Sequence, residues 1–228
     1  MSISRLGSIG AAAVLLASAF GASAADRAGE TTRSQQNAFQ WSGVLPDTLA
    51  EGDEIYQQAE VYTKDHGSLE LTFDDSSVLT LGPNSDLVID EFVYAPNTNT
   101  GSSALRLGKG ALRMISGSIP SGNVRVDTPV ATVGIRGTDF ILDTRTPGNL
   151  KVWSKEGTVV VSPTGSNEQF ELVAPSYASC SSASCNVGGS SAEPSFFPVA
   201  PADPSGRDRG FGPSGGGDGG NDGGDGNQ

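Results

Sequence analysis

Leu69-Glu-Leu-Thr-Phe-Asp-Asp-Ser-Ser-Val-Leu-Thr-Leu-Gly-Pro-Asn-Ser85 spells two strands and two turns. Leu69, Leu71 and Phe73 alternate with Glu70 and Thr72, the two-residue period of a strand with one buried face. Asp74-Asp75-Ser76-Ser77 is a run of residues that bond their own turned backbone, and Leu79 and Leu81 then resume the apolar face. Gly82-Pro83-Asn84-Ser85-Asp86 makes the next turn.

The same period runs outward from this stretch. Leu105/Leu107, Leu112/Met114, Val124/Val126 and Val133/Ile135 repeat it, as do Phe140/Leu142, Val159/Val161 and Phe170/Leu172, with Gly, Pro or Asn/Asp between most pairs. Helical spacing fails almost everywhere; the one candidate, Pro46 to Tyr62, has few apolar residues and contains Gly52. The pattern predicts a single all-β domain of many short strands over residues 52–173, a β-sandwich or roll of jelly-roll type. A parallel β-solenoid is the alternative, because Gly and Asn turns suit its coils, although no fixed repeat length is visible.

The ends differ from the middle. Met1-Ser-Ile-Ser-Arg5 is a short basic start, Leu6 to Phe20 is uncharged and apolar, and Ala22 and Ala24 stand at signal-peptidase spacing. The run is shorter than the roughly 20 residues that span a bilayer, so residues 1–24 are expected to be a cleaved export signal, leaving no membrane span. Residues 25–51 read as a polar leader, 174–205 as a Ser/Cys/Pro-rich exit segment and 206–228 as a disordered Gly/Asp-rich tail. The expected location is the bacterial periplasm or the cell exterior.

Several function classes drop out on inventory. A net charge of -12 repels phosphate backbones, so nucleic acid is not expected as a partner. His66 is the only histidine and sits in the polar turn Lys64-Asp65-His66-Gly67, and one histidine cannot supply a two-His metal site. Gly212-Pro-Ser-Gly-Gly216 and the glycines from Gly215 to Gly220 match hydrolase and dinucleotide motifs, yet both need a flanking strand and helix. Asp218, Asp222 and Asp225 are too few, on too flexible a chain, for a calcium site. No catalytic residue, metal site or cofactor is expected. Cys180 and Cys185 are the only cysteines, and export would place them where disulfides persist, so they are expected to pair and close a small loop.

Two further stretches are more particular than generic strands. They are Leu105-Arg-Leu-Gly-Lys-Gly-Ala-Leu-Arg113 and Val124-Arg-Val-Asp-Thr-Pro-Val-Ala-Thr-Val-Gly-Ile-Arg-Gly-Thr-Asp-Phe140. With the opening stretch, and in this order, they resemble the FecR domain, an extracytoplasmic β-rich module named for a regulator of ferric citrate transport. The resemblance runs from about Gly52 to Ser162. In the regulators that define the family, a cytoplasmic segment holds a sigma factor, one helix crosses the inner membrane, and the periplasmic part meets a TonB-dependent receptor. Only Met1 to Arg5 precede the apolar run here, so direct anti-sigma activity is not expected. The resemblance implies a non-enzymatic binding or envelope-signalling module whose partner is another envelope or extracellular protein. A secreted structural or adhesion-type scaffold is the alternative.

The motif's residues have structural readings of their own. Pro129 after Thr128 breaks the strand begun by Val124 to Asp127, and Gly134, Gly137 and Phe140 read as fold determinants. The apolar positions Val133 and Ile135 are odd and Phe140 and Leu142 even, which predicts a bulge at Arg136–Gly137, with Thr138 and Asp139 bonding the turned backbone. Arg106, Arg113, Arg125 and Arg136 alternate outward on consecutive strands and form a candidate recognition face, unless they pair with Asp127, Asp139 and Glu70. Trp41, Tyr56, Tyr62, Phe92, Tyr94 and Trp153 are candidate interface anchors that sequence cannot separate from core.

Overall fold

In the computed structural model, which describes residues 26–194 apart from 36, 42, 44 and 190, every regular element is a strand. They are β1 (Arg27–Gln35), β2 (Ala38–Trp41), β3 (Pro46–Thr48), β4 (Glu54–Tyr56), β5 (Glu60–Thr63), β6 (Ser68–Phe73), β7 (Val78–Leu81) and β8 (Asp86–Ala95). There follow β9 (Thr100–Lys109), β10 (Ala111–Ile115), β11 (Val124–Asp127), β12 (Ala131–Asp143), β13 (Leu150–Pro163), β14 (Phe170–Val173), β15 (Ser176–Cys180) and β16 (Cys185–Val187). The export signal expected over residues 1–24 and the Gly/Asp-rich tail expected over 206–228 lie outside the described residues.

All these strands belong to one hydrogen-bonded sheet, ordered β3-β2-β5-β8-β9-β11-β12-β10-β7-β6-β1-β4, with β13 beside β12 and carrying β14 and β15. Two long strands explain how so wide a sheet encloses a core. The first part of β12 pairs with β11 and its last part with β10, while β13 gives its end to β14 and its start to β15. Between those parts the β12–β13 register shifts, from Arg136 to Phe140. A bulge bends the strand that carries it, so the sheet curls into two facing halves. Phe73 of β6 and Phe92 of β8 stack across the gap with ring centroids 5.1 Å apart. At the far side the terminal strands β3 and β4 are joined by residues 49–53, where Leu49 N–H bonds Ala38 and Gly52 N–H bonds Thr31. The result is a curled, roll-like sheet around one apolar core. Only β9 and β11 pair in parallel among the described strands, which excludes a parallel solenoid.

The residues expected as a polar leader belong to this sheet. β1 pairs with β4 and β6, and β2 with β3 and β5. They escaped the apolar pattern because β1 buries small residues: Ala28, Gly29 and Thr31 face the interior. A Cβ at Gly29 would stand 2.3 Å from the Thr72 carbonyl oxygen, so this approach requires glycine. The exit segment also extends the sheet, through β15 and β16, and Cys180 and Cys185 form a disulfide across that hairpin.

Turn chemistry follows the residue types. His66, Ser76 and Asn84 all take positive φ in the tight connections around β6 and β7. Asp75 does more than turn the chain. Its buried carboxylate accepts hydrogen bonds from Ser77 N–H and hydroxyl and from Ile119 N–H, tying the β10–β11 connection to the β6–β7 turn.

Candidate functional site

The 124–140 stretch is a hairpin followed by a bend. Thr128 closes the hairpin: its hydroxyl donates to the Ala131 carbonyl at 2.7 Å and accepts from Ala131 N–H at 3.1 Å. Pro129, with no N–H to place, fits the tip. Asp127 accepts from the Thr132 hydroxyl at 2.7 Å and from Arg125 at 3.2 Å. Gly137 has φ of 59° at the bulge, where the odd-to-even switch requires it. Thr138 N–H donates to the Ser116 hydroxyl, and Phe140 returns to the core.

Two glycines reverse their expected importance. A Cβ at Gly134 would have 3.9 Å to its nearest neighbour and no positive φ to contend with, so the fold does not require glycine there. Gly157, which sequence reading passed over, has φ of 71° and its Cβ would lie 2.1 Å from the Gly137 carbonyl oxygen. The bend therefore needs a glycine on each of β12 and β13. The missed signal is the Lys155-Glu156-Gly157 break inside an otherwise alternating strand.

The four arginines do not make a basic stripe. Arg106 pairs with Asp90 at 2.7 Å, Arg125 with Asp127 at 3.2 Å and Arg136 with Glu171 at 4.0 Å, all largely exposed on the outer face of the first half. Arg113 lies beyond the bend, on β10 in the other half, mostly buried, and holds Asp139 through two hydrogen bonds of 2.9 and 2.6 Å. Burial pulls its pKa down, but the hydrogen bonds and charge of Asp139 outweigh that and leave it raised. The charges are balanced residue by residue, so this face offers no net positive field.

The aromatic residues do sort. Phe92 is core, and Trp153 is buried on the opposite surface of the sheet from the core. Trp41 is 42% exposed and stands on the outer face of β2 with Phe39, since Ala38 and Gln40 take the inner positions. Phe39 stacks on Tyr62 of β5 at 5.2 Å, and the Lys64 ammonium sits 4.8 Å from the Phe39 ring centroid. Leu45, 73% exposed, lies in the β2–β3 connection, one residue before Pro46, which pairs with Trp41. Beside this apolar surface a shallow cleft is lined by Glu60, Tyr62, Asn84, Asp86 and Lys109. Large amphipathic rings beside fixed charges form the kind of surface that anchors a protein partner. Among the described residues no group of three or more His, Cys, Asp or Glu could hold a metal ion, and no helix is long and apolar enough to cross a membrane.

Comparison with known proteins follows the same middle region. The family model described as FecR protein matches residues 59–160, from the turn before β5 to most of β13. No curated protein matches. Two crystal structures of a candidate anti-sigma factor from Parabacteroides distasonis are similar to 57% of this chain, at 13% identity and a TM-score of 0.46. The chain covers 58% of that protein's length.

Proposed function

We propose that this chain, which carries a FecR domain over residues 59–160, is an exported, non-enzymatic binding module for envelope signalling or sensing. It meets a partner protein through the outer surface of β2 and β5. The observation that supports this reading is the position of Trp41. A tryptophan left 42% exposed, on the same face of β2 as the Phe39–Tyr62 stack, is an anchor left open among the described residues. Export is supported by the basic start, apolar run and Ala22/Ala24 spacing of the N-terminus. The acidic chain disfavours nucleic acid as the partner.

The test is capture of envelope proteins by the full mature chain, with Trp41→Ala and Tyr62→Ala beside the unaltered protein. A specific partner should be lost about tenfold or more with Trp41→Ala, the usual effect of removing an interface anchor, while unfolding midpoints stay unchanged. A partner retained equally by both variants would place recognition elsewhere. No specific partner at all would favour the scaffold reading.

A further inference from the structure

Many charges on this molecule are settled in pairs. Arg106 meets Asp90, Arg125 meets Asp127, Arg113 meets Asp139 and Lys155 meets Glu193. The outer surface of β2, β5 and β8 departs from that habit. Trp41 stands opposite Glu60, and Glu60 opposite Val88. Two residues along, Phe39 stands opposite Tyr62, and Tyr62 opposite Asp86. Glu60 and Asp86 are therefore diagonal neighbours on one face, about 7–8 Å apart. Both are half-buried, and among the described residues neither carboxylate has a hydrogen-bond or ion-pair partner.

A half-buried carboxylate has lost part of its hydration and recovers it best from a cation that donates hydrogen bonds. The rings beside Glu60 add a second attraction, because the face of an aromatic ring is the negative part of its quadrupole. The chain already uses that attraction once on this surface, where the Lys64 ammonium sits 4.8 Å from the Phe39 ring centroid. Trp41, 42% exposed, offers a larger ring, and among the described residues no cation of the chain lies over it. Lys109 lines the far end of the cleft, opposite Asp86 but outside ion-pair distance. Its charge repels a visiting cation from that end, which leaves Glu60 and Trp41 as the favoured seat.

We propose that the partner meets this surface through a basic segment, with one arginine stacked on Trp41 and its guanidinium on the Glu60 carboxylate, Asp86 being the next acceptor along. This rests on the reading of β2 and β5 as the docking surface and names what that surface selects. A guanidinium is planar, so it lies on an indole face while its N–H groups donate in the plane to a carboxylate. A lysine ammonium has no plane to stack and is more strongly hydrated. The net charge of -12 draws a basic partner from a distance, and Glu60 beside Trp41 fixes where it lands.

The probe is a blocked Gly-Arg-Gly-Arg-Gly peptide, set beside the same peptide with citrulline, which keeps the shape of arginine and removes its charge. Titrated into the full mature chain at low ionic strength, the arginine peptide should shift the tryptophan emission. Trp41→Phe should abolish that shift, since Trp153 is buried. The citrulline peptide should bind about tenfold more weakly. Glu60→Gln, which keeps the side chain's shape, should weaken arginine binding about fivefold with an unchanged unfolding midpoint. Glu168→Gln, an exposed carboxylate in the β13–β14 connection, should not weaken it. Equal binding of the two peptides, no shift with arginine, or equal losses from Glu60→Gln and Glu168→Gln overturns the basic segment. In the capture experiment, a partner lost with Trp41→Ala but fully kept by Glu60→Gln refutes the arginine seat and leaves the docking surface standing. A partner indifferent to Trp41→Ala refutes both.

Discussion

Replacing Gly157 by alanine should damage this protein far more than the same change at Gly137, and Gly134 should tolerate it. At Gly137 the methyl group finds room, with Ser121 Oγ the nearest atom at 3.5 Å, so the penalty is only the left-handed backbone. That strain is about 1–2 kcal/mol for a residue with a Cβ. Gly157 carries the same strain, and its Cβ would also stand 2.1 Å from one backbone oxygen and 2.9 Å from another. Backbone cannot rotate away as a side chain does, so β12 and β13 must separate at the bend. Overpacking of that kind adds roughly 1–3 kcal/mol, giving about 2–5 kcal/mol in all. Gly134 has neither problem. Alanine there removes chain freedom from the unfolded state and should stabilise by up to about 1 kcal/mol. Urea unfolding of the purified chain, disulfide intact and followed by tryptophan emission, ranks the three. The reasoning fails if Gly157→Ala matches the unaltered protein, or if Gly134→Ala costs as much as Gly137→Ala.

Two further outcomes follow from the ion pairs. Arg113→Ala strands the mostly buried Asp139 carboxylate and should cost about 3 kcal/mol, whereas Arg125→Ala, losing an exposed pair, should cost under about 1 kcal/mol. Equal losses in urea unfolding would show that burial does not separate them. Burial alone would raise the Asp143 pKa, but hydrogen bonds from the Arg145 side chain and backbone hold it below the ordinary value. Stability from a lowered carboxylate pKa is complete above the unfolded value of about 3.9 and is lost as pH falls through the folded one. Asp143→Asn should therefore be less stable than the unaltered chain at neutral pH, and the gap should close on acidification below about pH 4. A gap that stays constant with pH would refute the linkage.

Local chemistry made part of this molecule readable from residues alone. Strand alternation is a property of neighbouring Cβ directions, so Leu69, Leu71, Leu79, Val133 and Phe140 declare their face without knowledge of any partner strand. Gly137 was legible because the apolar parity changes around it. The Cys180–Cys185 bridge was legible because these are the chain's only two cysteines and stand five residues apart. β1 was not, since Ala28, Gly29 and Thr31 bury little apolar area and leave no hydrophobic trace.

What only the tertiary structure decided concerns the outward faces. Arg113 and Arg125 occupy equivalent outward positions in their strands, yet one is shielded and holds Asp139 while the other stands in water. Trp41 and Trp153 are both outward tryptophans, yet one is open and the other lies under Ser191. The two-residue period says which way a side chain points. Whether something lies against it depends on chain dozens of residues away, on the order in which strands pair and on where the sheet bends. Those are long-range contacts, and no local pattern carries them.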